Sequence, residues 1–190
     1  MRPNPKIART LSEFQITYKP LPLFLIMPKK EEESKLKKLK EDYKKIQEKY
    51  KLPSFEKLNE DFGIEKAAGE ETDILIREIR KHISEKAFNY LRFVETLINP
   101  VNAPMSIFTI TKSLGIEEKN KLTEIYKKLV KSEVRMISVE IEFSEKGEAE
   151  FIKEIYEIWQ DIKKDFLEVI KVVEKNWENK AEGKNRKYFD

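Results

Sequence analysis

The sequence predicts an all-α protein, a bundle of long amphipathic helices that ends in an antiparallel helical hairpin. Hydrophobic residues make up 39% of the 190 residues and charged residues 38%, so both fractions are high together. Long amphipathic helices reconcile the two, because each carries a narrow apolar stripe and a broad charged face. Apolar residues also recur at alternating spacings of three and four, and only 5 glycines interrupt the chain.

Charge and cysteine content narrow the classes of function. The net charge is +3, from 38 basic and 35 acidic side chains, so no overall field attracts nucleic acid or an anionic membrane. The lack of cysteine excludes disulfides, cysteine-bound metal and thiol nucleophiles. No apolar run approaches the roughly 20 residues of a membrane-spanning helix, and the N-terminus lacks a signal-peptide core. We therefore expect a cytoplasmic protein without membrane contact. Its Lys- and Glu-rich composition resembles that of heat-adapted proteins.

Residues 1–30 are predicted to form an extended arm. Five of the eight prolines lie here, and proline removes a backbone donor and disfavours a continuous helix. Residues 14–18 alternate apolar and polar side chains, a weak strand pattern that could pair with residues 137–143. The apolar run 21–27 is expected to be shielded from water. It either lies in a groove on the protein's own helices or wraps another subunit.

The helical domain is predicted to span residues 31–177 and to start with a helix over residues 31–50. Apolar residues recur there in steps of three and four while the other positions are polar, which is typical of a helix at the edge of an assembly. A short helix follows, capped by Ser54 and stopped by Gly63, and residues 64–71 form a connector. The apolar seam of the first helix is Leu36, Leu39, Tyr43, Ile46 and Tyr50.

Two further helices are predicted in the middle of the chain. The first is long, begins at a cap formed by Thr72 or Asp73, and ends at about Ile98. The second is short and lies between Pro104 and Gly115.

The next helix is predicted from residue 117 to about 136, and residues 137–143 have two interpretations. Their apolar members continue the heptad of that helix, and they also alternate with polar residues as in an edge strand. The unbroken heptad favours a helix. A second apolar flank on the same helix indicates a central position in the bundle; it consists of Tyr126, Val130, Ile137 and Ile141.

The last helix, from Glu148 to about Trp177, has the clearest pattern and is predicted to form the hairpin with the helix before it. Residues 144–147 provide the turn, and residues 178–190 leave the pattern as a polar tail. The seam steps by three and four through Ile152, Ile155, Trp159, Ile162, Phe166, Val169 and Val173.

The residues offer little for catalysis. His82 is the single histidine, and Glu78 one turn earlier can share its helix face. A metal site in a helical bundle usually takes a second histidine-bearing unit, however. No glycine-rich phosphate loop or nucleophile elbow occurs. We therefore expect no catalytic residue, no metal site, no cofactor, and a protein that is not an enzyme.

Four cations of the long central helix define a candidate anion-binding face. At about 100° per residue they fall on one side of the helix, with the apolar stripe roughly opposite. Arginine can hold a phosphate or a carboxylate through two parallel hydrogen bonds. The alternative is an ordinary solvated face braced by neighbouring glutamates. The four cations are Arg77, Arg80, Lys81 and Arg92.

The leading functional hypothesis is a non-catalytic interaction or scaffold protein that binds a protein partner or itself, with a homodimer as the simplest outcome. The first alternative is a nucleic-acid or other polyanion binder that uses the four cations above. The second is an enzyme built on carboxylates and His82. The candidate partner-interface residues are Leu23, Phe24, Leu25, Leu36, Leu39 and Tyr43.

Overall fold

The computed structural model describes residues 29–70 and 72–185, and every regular element in that part of the chain is a helix. The all-α prediction is confirmed. The predicted arm, including residues 14–18, lies outside the described residues except for its last two positions. The helices are α1 (Lys29–Tyr50), α2 (Phe55–Phe62), α3 (Leu75–Ile98), α4 (Met105–Lys112), α5 (Ile116–Ile141) and α6 (Glu145–Asn185), with 3-10 helices at Ile64–Gly69 and Pro100–Asn102.

Helix α2 begins and ends where its sequence predicts. The Ser54 hydroxyl accepts a hydrogen bond from the Lys57 amide at 3.4 Å, which satisfies one free donor of the first turn. Gly63 follows the helix in the left-handed conformation, with φ of 67°, and its amide donates to the Asn59 carbonyl. Glycine adopts this conformation without steric cost, so both predicted signals are confirmed.

The segment between α2 and α3 differs from its prediction. It is not an open connector, because Ile64–Gly69 forms a 3-10 helix whose Ile64 is fully buried. The predicted cap of α3 is wrong as well. Thr72 accepts a hydrogen bond from the Ile74 amide in a local turn, and α3 starts at Leu75 without a side-chain cap.

Helix α5 continues to Ile141, so the helical interpretation of residues 137–141 is confirmed and the strand alternative is wrong there. Helix α6 starts three residues earlier than predicted, with the Ser144 hydroxyl accepting from the Gly147 amide at 3.1 Å. It also extends through the predicted polar tail as far as Asn185. Ion pairs show that α5 and α6 run in opposite directions: Lys121–Glu168, Lys128–Asp161 and Arg135–Glu154.

Helix α3 is the centre of the packing and contacts every other helix in the described part of the chain. Its Tyr90 ring stacks on Trp159 of α6, with ring centres 4.9 Å apart and planes 10° from parallel. Phe166 meets the same Tyr90 edge to face at 5.6 Å. The α6 seam from Ile152 to Val169 is buried at every predicted position, so the pattern identified this core correctly.

Candidate protein-binding face

The predicted interface on α1 is covered by the protein itself. Leu39 is 5% exposed and Tyr43 is fully buried. The Tyr43 ring packs edge to face on Phe55 at 5.6 Å, and its hydroxyl donates to the Pro53 carbonyl at 2.7 Å. The expectation that these two residues meet a partner is therefore wrong, because α2 and the segment before it fill that place. Leu36 is half-buried against the core, and the other interface candidates, Leu23, Phe24 and Leu25, lie outside the described residues.

The predicted anion-binding face is also divided by the fold. Arg80 is 3% exposed, because α5 and α6 cover α3 at this point. Its Nε donates to Glu148 at 2.7 Å and its Nη1 donates to Glu140 at 3.0 Å. Ser84 and Phe88, further along the same helix, are buried too. The alternative of an ordinary solvated face is therefore wrong for Arg80.

Glu148 is the deepest member of this charge cluster. It is fully buried, and burial raises the pKa of its carboxyl despite the opposing pull of Arg80. One of its oxygens, Oε1, has no hydrogen-bond partner in the described structure. The cluster therefore joins α3 to the end of α5 and the start of α6, and the Arg80 guanidinium is bound by the carboxylates of Glu140 and Glu148.

The other three predicted cations remain at the surface but have different surroundings. Arg77 lies over the ring of Phe143, 5.3 Å from its centre. Lys81 pairs with Glu78 at 3.4 Å. Arg92 donates to the Asn89 side-chain oxygen at 3.3 Å, and within the described residues it has no ion pair.

An exposed apolar ridge lies on α5, formed by Val134, Ile137 and Ile141. Their exposed fractions are 60%, 50% and 78%. The spacing of three and four places them on one face of the helix. Half-buried Val130 and Tyr126 continue the same stripe toward the N-terminus of α5. The sequence placed this flank inside the bundle, and that expectation is wrong for Ile137 and Ile141.

A cleft of about 410 Å³ lies beside this apolar ridge, between α3 and α5. We call it the α3–α5 cleft. Met136 and Glu140 line it, and each directly precedes a ridge residue in α5. Ser84 lines it as well, and the Ser84 hydroxyl is buried without a hydrogen-bond partner in the described structure. The remaining lining residues belong to α3 and are Arg80, Lys81, Glu85, Phe88, Asn89 and Arg92.

His82 lies next to a carboxylate near the surface of the protein. Its Nε2 lies 3.1 Å from a Glu70 oxygen, in a surface pair. Glu78 lies near both His82 and Glu70. Hydrogen bonding with Glu70 and attraction from Lys81 lower the pKa of the Glu78 carboxyl. Over residues 29–70 and 72–185, no three acidic or histidine side chains converge as a metal site would need.

None of the helices in the described ranges combines the length and apolar character needed to cross a bilayer. Comparison with protein-family models, with curated proteins and with solved structures finds no match to this chain.

Proposed function

We propose that the protein is a non-catalytic interaction or scaffold protein that binds a helical segment of another chain along the apolar ridge of α5. The observation that supports this most strongly is the exposure of Val134, Ile137 and Ile141 on one helix face. Contiguous exposed apolar surface commonly marks a binding surface. Covering side chains of this size contributes about 1–2 kcal/mol each to a complex.

The shape of the surface favours a helix as the ligand. The ridge spans about two helical turns, and its spacing of three and four residues matches the spacing of apolar residues in helices that bind to such surfaces. The α3–α5 cleft beside it offers a groove for the side chains of such a helix. A second copy of this chain and a different protein both satisfy this description, so the experiments must separate them.

Site-specific crosslinking tests the position of the interface. A photo-reactive phenylalanine analogue replacing Ile137 is expected to give a crosslinked adduct when the protein is irradiated in its native cell extract. The same analogue at Glu157, an exposed position of α6, is the matched control. Mass spectrometry then identifies the adduct as a second copy or as another chain. Equal adduct yields at the two positions would contradict the proposal.

Light scattering of the purified chain tests self-binding directly. If the partner is a second copy, the mass is expected to double at high protein concentration and to return to one chain in Ile141→Lys, which places a charge on the ridge. If the partner is a different chain, the protein stays monomeric and only the crosslinking experiment gives an adduct.

Binding of a nucleic acid or another polyanion is a second, weaker proposal. Arg77 and Arg92 support it, because neither has an ion pair in the described part of the chain. Arg80 cannot contribute without leaving its carboxylates. The expected result is salt-sensitive binding of a labelled oligonucleotide that weakens in Arg77→Ala/Arg92→Ala. Unchanged binding in that variant, or none in the parent, counts against it.

A further inference from the structure

We infer that the helix bound by the α5 ridge is acidic on the flank that enters the α3–α5 cleft, so that a carboxylate of the partner is held by Arg92 and Asn89. This inference rests on the proposed function and specifies the chemistry of its partner. It follows from the donors that line the cleft and from their position beside the ridge.

The donors of the cleft are left available by the fold. The Asn89 side-chain oxygen accepts from Arg92, so its amide NH₂ remains free to donate to a ligand. Arg92 is exposed and has no carboxylate partner within the described residues.

The carboxylates that line the cleft leave Arg92 available to a carboxylate of the partner. Glu140 lines it but accepts from Arg80, and Lys81 at the rim pairs with Glu78. Glu85 lies on the exposed face and is the one lining carboxylate without an ion pair in the described structure. A partner carboxylate therefore gains by approaching Arg92, which lies seven residues, or about two turns, from Glu85 along α3.

The position of the cleft links it to the ridge. Met136 and Glu140 line the cleft, while Ile137 and Ile141 belong to the ridge, so both surfaces belong to the same two turns of α5. A helix with its apolar seam on the ridge therefore presents its neighbouring flank to the cleft. Phe88 and Met136 give that cleft apolar walls, which strengthen a charged hydrogen bond by excluding water.

Three synthetic helical peptides provide the test. They share one leucine seam and carry Glu, Gln or Lys on the flanks of that seam. Fluorescence anisotropy of the labelled peptides measures their binding to the full chain. The Glu peptide is expected to bind about fivefold more tightly than the Gln peptide, as for one partly buried charged pair, and the Lys peptide most weakly. Added salt should reduce the difference between the Glu and Gln peptides.

Charge reversal tests the assigned residue. Arg92→Glu is expected to invert the order, so that the Lys peptide binds more tightly than the Glu peptide. Lys86→Glu, on the same helix but not part of the cleft, makes the same change in charge and should leave the order intact. Circular dichroism confirms that each variant is folded.

The outcomes separate this inference from the proposed function. If Ile137→Lys abolishes binding but the parent protein binds all three peptides equally, the ridge is a binding surface and the acidic preference is overturned. The same conclusion follows if Arg92→Glu leaves the order of the three peptides unchanged. If the ridge binds a second copy of the chain, the acidic-helix inference is overturned as well. If no peptide binds and crosslinking at Ile137 matches the control, both proposals fail.

Discussion

The role of Arg80 depends on side chains that are distant from it in the sequence. Its guanidinium lies inside the protein and bridges the carboxylates of Glu140 and Glu148. A buried ion pair is costly to break, because removing one partner leaves the other charge buried and unpaired. The residue therefore stabilises the junction of three helices.

Arg80→Met is expected to lower the free energy of unfolding by about 3–5 kcal/mol, since it leaves the buried Glu148 carboxyl without its cation. Urea unfolding followed by circular dichroism measures the loss. Lys81→Met is the matched control, because its ammonium lies at the surface, and it should change stability by about 0.5 kcal/mol or less. Equal losses in the two variants would rule out a special role for the buried pair.

Asp61 makes the stability depend on pH. Burial raises the pKa of its carboxyl, but hydrogen bonds from Lys163 and Gln160, both at 2.6 Å, outweigh burial and the net shift is downward. A carboxyl with a lowered folded-state pKa stabilises the protein above its unfolded pKa and loses this contribution as the pH falls through the folded value.

Asp61→Asn should therefore destabilise the protein at neutral pH, and its difference from the parent should shrink as the pH falls below about 4. Urea unfolding at several pH values measures this difference. Asp161→Asn removes an exposed partner of Lys128 and is expected to have little effect at any pH. A constant difference across the pH range for Asp61→Asn would show that its charge is not the cause.

At the scale of the element, α5 has two apolar stripes, of which one is buried and the other is exposed. Leu129 and Val139 belong to the stripe that packs into the bundle, while Ile137 and Ile141 remain at the surface. Their periodicity is the same, because both stripes follow the spacing of one helix. The difference arises from α3 and α6, which cover one side of α5.

Ile141→Lys should change the free energy of unfolding by about 0.5 kcal/mol or less, since the side chain is 78% exposed. Leu129→Ala should cost about 2–5 kcal/mol, because it leaves a cavity in the core. Thermal and urea unfolding measure both effects. A large loss in Ile141→Lys would mean that the ridge is covered in the isolated chain, and it would remove the main support for the proposed function.

At the scale of the whole molecule, several helices are joined by side-chain contacts where α5 turns into α6. Lys49 and Tyr50 at the end of α1 both hold Glu145 at the start of α6. The Arg80 cluster lies at the same junction. Together with the central position of α3, these links favour unfolding as one cooperative unit.

Cooperative unfolding predicts that circular dichroism and tryptophan fluorescence report the same transition. Trp159 is packed between α3 and α6, and Trp177→Phe leaves it as the sole tryptophan. In that variant the two signals should give the same urea midpoint. Separate midpoints would show that the α3–α6 core opens independently of the remaining helices.

Much of the fold could be predicted because it depends on local signals. The α6 seam, the Ser54 cap and the Gly63 stop each follow from residues close together in sequence. The candidate site could not be predicted in the same way. The helical pattern places the Arg80 side chain on the outer face, because the sequence of one helix shows no neighbour there, whereas Glu148 reaches it from 68 residues away.

The order of the amino acids is enough to establish that the described chain is helical, which stripe of each helix is apolar, and where several helices begin and end. The packing of the helices adds that the seam of α1 is covered, that one apolar stripe of α5 is not, and that a cation of α3 is buried. The physical reason is that periodicity orients side chains about their own helix axis. Which of those sides loses contact with water depends on how many helices pack around it and from which direction.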